Sequence, residues 1–281
     1  MNRRKFFWSS LAATVAGSAI AIAQEPDAGA VQTIRCAVIG GMTDTGLWQG
    51  IAKRFEEKTG HKIEVVAQGN RRVIAPVFEV GNIDLLTMHA SDTIINLVAD
   101  GFAEDPQPWA KNDLLLVGPP EDPAAIKGEK DVLVALQKIV DSKSKLLMHA
   151  SVGTNEVLSN LLGVGEIELD PQYVISLPTD RHRVMLEKAS REKAYTVVGR
   201  IPFLNAKIAR YDMEIMVQGD KRLRRPYLVI VAARKKHDAR YTASKQLAAF
   251  LRFPETQQWL SEFGKGTYDD FPLFYPVEVA K

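Results

Sequence analysis

Arginine supplies the most pointed chemistry in this sequence. Arg71 and Arg72 open one predicted helix, Arg181 and Arg183 open another, and Arg200 follows a predicted strand. A guanidinium presents five N–H donors in a fixed fork that matches a carboxylate or phosphate. A helix start adds free backbone N–H groups and a partial positive charge. Together they point to an anion, with Thr43, Thr45, Ser151 and Thr154 as neutral hydroxyl donors near other helix starts. The alternative is that these arginines are solvated on the surface, their usual home.

Histidine gives a second signal. Met88-His89-Ala90-Ser91 recurs as Met148-His149-Ala150-Ser151, each time after an apolar strand and before a helix. Placed at strand ends facing a cleft, His89 and His149 would donate hydrogen bonds to a ligand and titrate near neutral pH. The competing reading is two buried, internally bonded histidines. Two histidines are too few ligands for a metal site.

Other chemistries find no support. The sequence holds no Gly-x-Ser-x-Gly elbow, HExxH helix or phosphate-binding Gly-rich fingerprint, so no enzyme and no cofactor is expected. The single cysteine, Cys36, lies in an apolar run and reads as a core residue. Trp48, Trp109, Trp259, Tyr227 and Tyr268 read as core before pocket. The runs Lys221-Arg222-Leu223-Arg224-Arg225 and Arg234-Lys235-Lys236-His237 read as surface.

The elements that must position these residues alternate in period. Strands are expected at 34–39, 63–67, 83–88, 114–117, 145–149, 194–198, 213–217 and 227–232. Helices are expected at 46–59, 71–80, 91–100, 131–142, 154–162 and 181–192, with a helical tail over 242–263 broken near Pro254. Such alternation predicts an α/β fold with mainly parallel sheets, whose ligands sit beyond the carboxyl ends of the strands.

The amino terminus predicts export. Arg3, Arg4 and Lys5 precede a short, interrupted apolar run that ends in the small-x-small sequence Ala21-Ile22-Ala23. Paired arginines before Lys5-Phe6-Phe7 resemble a twin-arginine signal, with residues 1–23 removed and 24–31 a flexible leader. The chain carries 36 Lys+Arg and 34 Asp+Glu; losing those three cations leaves 33 against 34, a formal charge of −1. That balance argues against a nucleic-acid partner, which needs a basic face.

Several blocks in order carry a family likeness: Asp44-Thr45-Gly46-Leu47, Phe55-Glu56-Glu57-Lys58-Thr59-Gly60, Ile83-Asp84-Leu85-Leu86-Thr87, Asn112-Asp113-Leu114-Leu115-Leu116-Val117-Gly118-Pro119, Ala194-Tyr195-Thr196 with Arg200, and Pro226-Tyr227. The chain resembles the extracytoplasmic tungstate-binding proteins of ABC importers, within the type II periplasmic binding protein superfamily. The resemblance implies two α/β lobes, 32–112 with 226–281 and 113–225, closing by a hinge over a small anion. It further implies a monomer that meets a membrane permease. An anion sensor, or an enzyme on the same fold, are the alternative functions.

The resemblance fails at the family's ligand loops. The hydroxyl-rich first loop reads Val38-Ile39-Gly40-Gly41-Met42 here, and a Gly-Thr-Gly type loop reads Gly69-Asn70-Arg71-Arg72. An arginine-bearing segment reads Met148-His149-Ala150-Ser151-Val152-Gly153-Thr154, and a glycine-rich one Thr179-Asp180-Arg181-His182-Arg183. Small cradle residues have given way to arginines, which favours an anion larger than a bare tetrahedral oxyanion.

Overall fold

The computed structural model describes residues 30–150, 152–179, 181–205, 211–233 and 239–278. The expected signal segment 1–23, most of the leader, Ser151 and the basic run 234–237 lie outside the described residues.

Each half of the molecule repeats strand, tight junction, helix. The first half runs β1 (Thr33–Ile39), α1 (Gly40–Asp44), α2 (Leu47–Thr59), β2 (Lys62–Gly69), α3 (Arg71–Val80), β3 (Leu85–His89) and α4 (Asp92–Ala99). The long β4 (Ala103–Gly118) crosses to the second half: α5 (Val132–Asp141), β5 (Leu146–His149), α6 (Val152–Val164), β6 (Val174–Leu177), α7 (His182–Glu192), β7 (Tyr195–Gly199), α8 (Arg200–Leu204) and β8 (Glu214–Val217). The chain returns along β9 (Arg224–Ala232) and ends in α9 (Ala239–Phe250), α10 (Pro254–Glu262) and β10 (Tyr275–Pro276).

Local rules account for these elements. In α2, Leu47, Trp48, Ile51 and Phe55 form one buried stripe, and Gly60 at φ 78° closes the helix with its N–H on the Glu56 carbonyl. Asp131 caps α5 by accepting from the backbone N–H of Leu133 and Val134. Cys36 is wholly buried in β1, and burial, with the nearby Asp84 charge, pushes its thiol pKa well up, which leaves it inert.

The strands hydrogen-bond in the order β2-β1-β3-β9-β4-β7-β5-β6, with β8 and β10 also on β4. Neighbours β1, β2 and β3 are parallel, as are β5, β6 and β7, while β9 runs antiparallel to β3 and β4. This is the α/β architecture expected. β4 serves both halves: its residues 103–113 pair with β9, and 114–118 pair with β7 and β8.

The apolar core divides at the same place. Two clusters draw on residues up to Ala110 and from Tyr227 onward, and two others on residues from Leu114 to Leu223. One residue breaks the division. Ile201 of α8 packs with Trp48 and Tyr227 in the first half's core and so ties the halves together.

Candidate functional site

Six strand-to-helix junctions open on one cavity of about 560 Å³. The first half contributes Ile39 and Gly41 after β1, Asn70, Arg71 and Arg72 after β2, and His89, Ala90 and Ser91 after β3. The second half answers with Ala150, Gly153 and Thr154 after β5, Arg181 and His182 after β6, and Gly199, Ile201 and Pro202 after β7. Strand direction accounts for this: β1, β2 and β3 run one way and β5, β6 and β7 the opposite way, so the carboxyl ends of the two sets, and the helix starts that follow them, face each other across the cavity. The partial positive ends of α3, α4, α6 and α7 therefore converge.

The two crossing strands supply the floor. On β9, Arg225 and Tyr227 stand two residues apart and share a face. Arg225 lies opposite Asn112 of β4, and Tyr227 lies opposite His89 of β3. All four line the cavity. The His89 and Tyr227 rings stack, with centroids 4.2 Å apart and planes at 28°. The Arg225 guanidinium lies on Gly153 at the start of α6, where an added Cβ would collide with it. One side chain thus reaches from the return strand to the second half.

Charge in the cavity is lopsided. Among the described residues lining it, Arg71, Arg72, Arg181 and Arg225 stand against one carboxylate, Glu156. Burial lowers the Arg225 pKa; Tyr227 and Glu156 oppose the shift, and Arg71 adds to it as a nearby like charge. Burial also pushes the His89 pKa well below its ordinary value, aided by Arg225 and opposed by Asn112, so the ring is neutral near pH 7. Asn70 caps α3, accepting from the Arg72 backbone N–H at 3.0 Å, which sends both arginine side chains onward from a fixed turn.

Among the described residues, His89 Nε2, Ser91 Oγ and Asn112 Oδ1 in this wall fall outside hydrogen-bonding limits, although the Asn112 side chain lies near enough to the His89 ring to favour its protonated form. Asn112 is only 5 % exposed. An unpaired buried polar atom costs about 1–3 kcal/mol, so Ser91 Oγ and the His89–Asn112 pair on a cavity wall favour a polar occupant.

Of the residues expected from sequence, the cavity gathers Arg71, Arg72, His89, Thr154 and Arg181. Five others lie elsewhere. Arg200 is fully buried behind the cleft, donating from Nη1 to Gln218 Oε1 at 2.7 Å, pairing through Nη2 with Asp269 and lying 5.3 Å over the Phe271 ring. It is a structural tie: both terminal nitrogens bond inside the protein, although its buried Nε makes no hydrogen bond. His149 turns into its own half, with Nε2 3.0 Å from the Val197 carbonyl. Arg183 is exposed and donates to the Tyr211 hydroxyl at 3.1 Å. Thr43 and Thr45 donate back to the Gly40 and Gly41 carbonyls at 2.9 and 2.8 Å, which spends their hydroxyl protons on the local turn. Ser151 lies outside the described residues.

Arg225 is the largest correction, having been read as surface. Asn70, Ser91, Asn112, His182 and Tyr227 also line the cavity without having been proposed as ligand groups. The signal that finds Arg225 is strand alternation: once 227–232 is a strand and the chain returns at Pro226, Arg225 shares the face of Tyr227 at the cleft floor.

Comparison with known proteins places this geometry in context. Residues 34–265 match the family described as bacterial extracellular solute-binding protein. An ABC transporter anion-binding protein of Haloferax volcanii is 27 % identical over 260 residues, 90 % of this chain and 74 % of that one. The tungstate-binding protein of Peptoclostridium acidaminophilum is 29 % identical over 240 residues, 83 % of this chain and 82 % of that one. The structure of a tungstate-binding protein from Desulfovibrio alaskensis superposes with a TM-score of 0.71 at 23 % identity, covering 89 % of this chain and 100 % of that one. With its fold shared and most of its length matched, this chain belongs to the bacterial extracellular solute-binding protein family.

Proposed function

We propose that the chain is the solute-binding component of an ABC importer and that it captures a small anion between two lobes, 32–112 with 226–281 and 113–225. The supporting observation is the convergence, among the described residues, of four arginines against one glutamate with four helix starts from opposite halves on one cavity. Ligand contacts made only when the halves approach would drive closure, because a ligand shifts an equilibrium only by its differential affinity. Closed lobes would then dock on a membrane permease as a monomer.

The work is capture rather than turnover, and its place is outside the cytoplasmic membrane. Export by a twin-arginine signal with cleavage after Ala23 completes the reading; N-terminal sequencing of the exported form tests that step. Among the described residues no helix is long and apolar enough to cross a membrane.

Thermal shift against tungstate, molybdate, phosphate, sulfate and small carboxylates tests the function. An anion at 100 times its dissociation constant stabilises by about 2.7 kcal/mol. A flat response to every anion would remove the reading.

A further inference from the structure

We infer, building on the anion-capture reading, that the ligand is a small organic hydroxycarboxylate, with its carboxylate on Arg225 and its hydroxyl against Asn112 and His89. Size argues first. Water occupies about 30 Å³ per molecule in the liquid, so a five-atom oxyanion fills at most about 150 Å³. The cavity offers about 560 Å³, within the range of small organic ligands. The walls argue next. Ile39, Met88, Leu114, Ile201 and Pro202 line it alongside the polar groups, and such surface gains from contact with carbon, not with an inorganic oxyanion.

Hydrogen-bond polarity argues furthest. A fully deprotonated oxyanion offers acceptors alone. Asn112 Oδ1 is itself an acceptor, buried beside the His89 ring, and a ligand carrying an O–H or N–H offers it a donor that a bare oxyanion lacks. A hydroxyl donates one proton and accepts through two lone pairs, which suits Asn112 Oδ1 on one side and His89 Nε2 or Ser91 Oγ on the other. Arg225 supplies the complementary end. Its guanidinium, seated on Gly153 at the partial positive end of α6, offers a two-pronged grip on a planar carboxylate.

Calorimetry on the purified full chain tests this with paired probes: malate against succinate, lactate against propionate, and tungstate, molybdate and sulfate beside them. The hydroxylated member of a pair should bind at least about tenfold tighter than its partner, and tighter than any oxyanion. Arg225→Met should weaken that binding at least about tenfold. Gly153→Ala should weaken it similarly, because the new methyl displaces a guanidinium that is chemically intact. Asn112→Leu should abolish the preference for the hydroxyl while carboxylate binding persists; unliganded melting curves identify any variant that fails to fold, and the wild-type probe pairs decide the question without it. Tungstate or molybdate binding tighter than every carboxylate, or equal binding within each pair, overturns the inference and leaves anion capture standing. No binding by any anion overturns both.

Discussion

The ends of β3 and β5 carry the same four residues and are used in opposite ways. His89 reaches the cavity and rests on Tyr227, its Nε2 outside hydrogen-bonding limits. His149 turns inward and meets the Val197 carbonyl of β7. The difference lies in the neighbouring strand. β3 is flanked by antiparallel β9, which brings Tyr227 opposite His89, while β5 is flanked by parallel β7, whose carbonyl captures the ring. Two arginines, Arg200 buried and Arg225 half-buried, divide the same way. Arg200 has Asp269, Gln218 and Phe271 around it; Arg225 has Gly153, the start of a helix and the open cavity. A cation or ring whose donors are met from within serves stability, and one whose donors face a cavity serves binding.

Arg200→Met attacks the structural side of that contrast and should have the largest effect. It removes a buried guanidinium and leaves Asp269 unpaired, though Asp269 is 26 % exposed and water relieves part of the loss. Removing one partner of a buried pair costs about 3–5 kcal/mol, and partial exposure sets the expectation near the lower bound, about 3 kcal/mol. Urea unfolding measures it. Affinity for the anion, measured where the variant is folded, should stay unchanged; a large loss of affinity would return Arg200 to the site.

The histidines sharpen the comparison at a smaller scale. His149→Leu strands the Val197 carbonyl and should cost about 1–2 kcal/mol of stability with little effect on binding. His89→Leu should do the reverse, since its ring faces the cavity and its internal partner is only the weakly placed Asn112 side chain. Acid extends the test. Burial holds both imidazoles below their ordinary pKa of 6.5, His89 the more strongly. The unfolded chain then binds protons that the folded one refuses, so stability is intact above pH 6.5 and falls as the pH drops below it. Each leucine variant should flatten that slope, His89→Leu more than His149→Leu. An unchanged slope in the His89 variant would mean that its ring is solvated.

Much of this fold can be read from the chain, because its helices and inner strands follow their own periodicity. The 71–80 helix and the 34–39 strand agree with α3 and β1 to within a residue. The missed elements obey other rules. The first part of β4 holds Pro106 and Pro108, which argue against a strand; the register shifts beside both prolines, and Asp105 takes φ 55° there. Helices α1 and α8 have five residues each, too few for a period to show. In the site, charge at helix starts is visible from sequence, whereas Asn112 and Arg225 depend on which strands lie side by side. Arg200 misled for a related reason: nothing local to it announces Asp269, which lies 69 residues away.

The smallest contrast lies within one loop. Arg181 is the N-cap of α7 and lines the cavity, whereas Arg183, two residues on, has turned about the helix to the Tyr211 hydroxyl. Successive helical residues advance by about 100°, so positions two apart face opposite sides. Arg181→Ala should weaken anion binding by about 1 kcal/mol, about fivefold, since its side chain meets the ligand from the solvent side. Arg183→Ala should leave affinity unchanged. Added salt should reduce the Arg181 effect, because an exposed charge is screened within about 10 Å at 0.1 M ionic strength. Calorimetry at two salt concentrations decides it: equal losses from the two variants would mean that diffuse positive potential, rather than a placed guanidinium, is what this loop contributes.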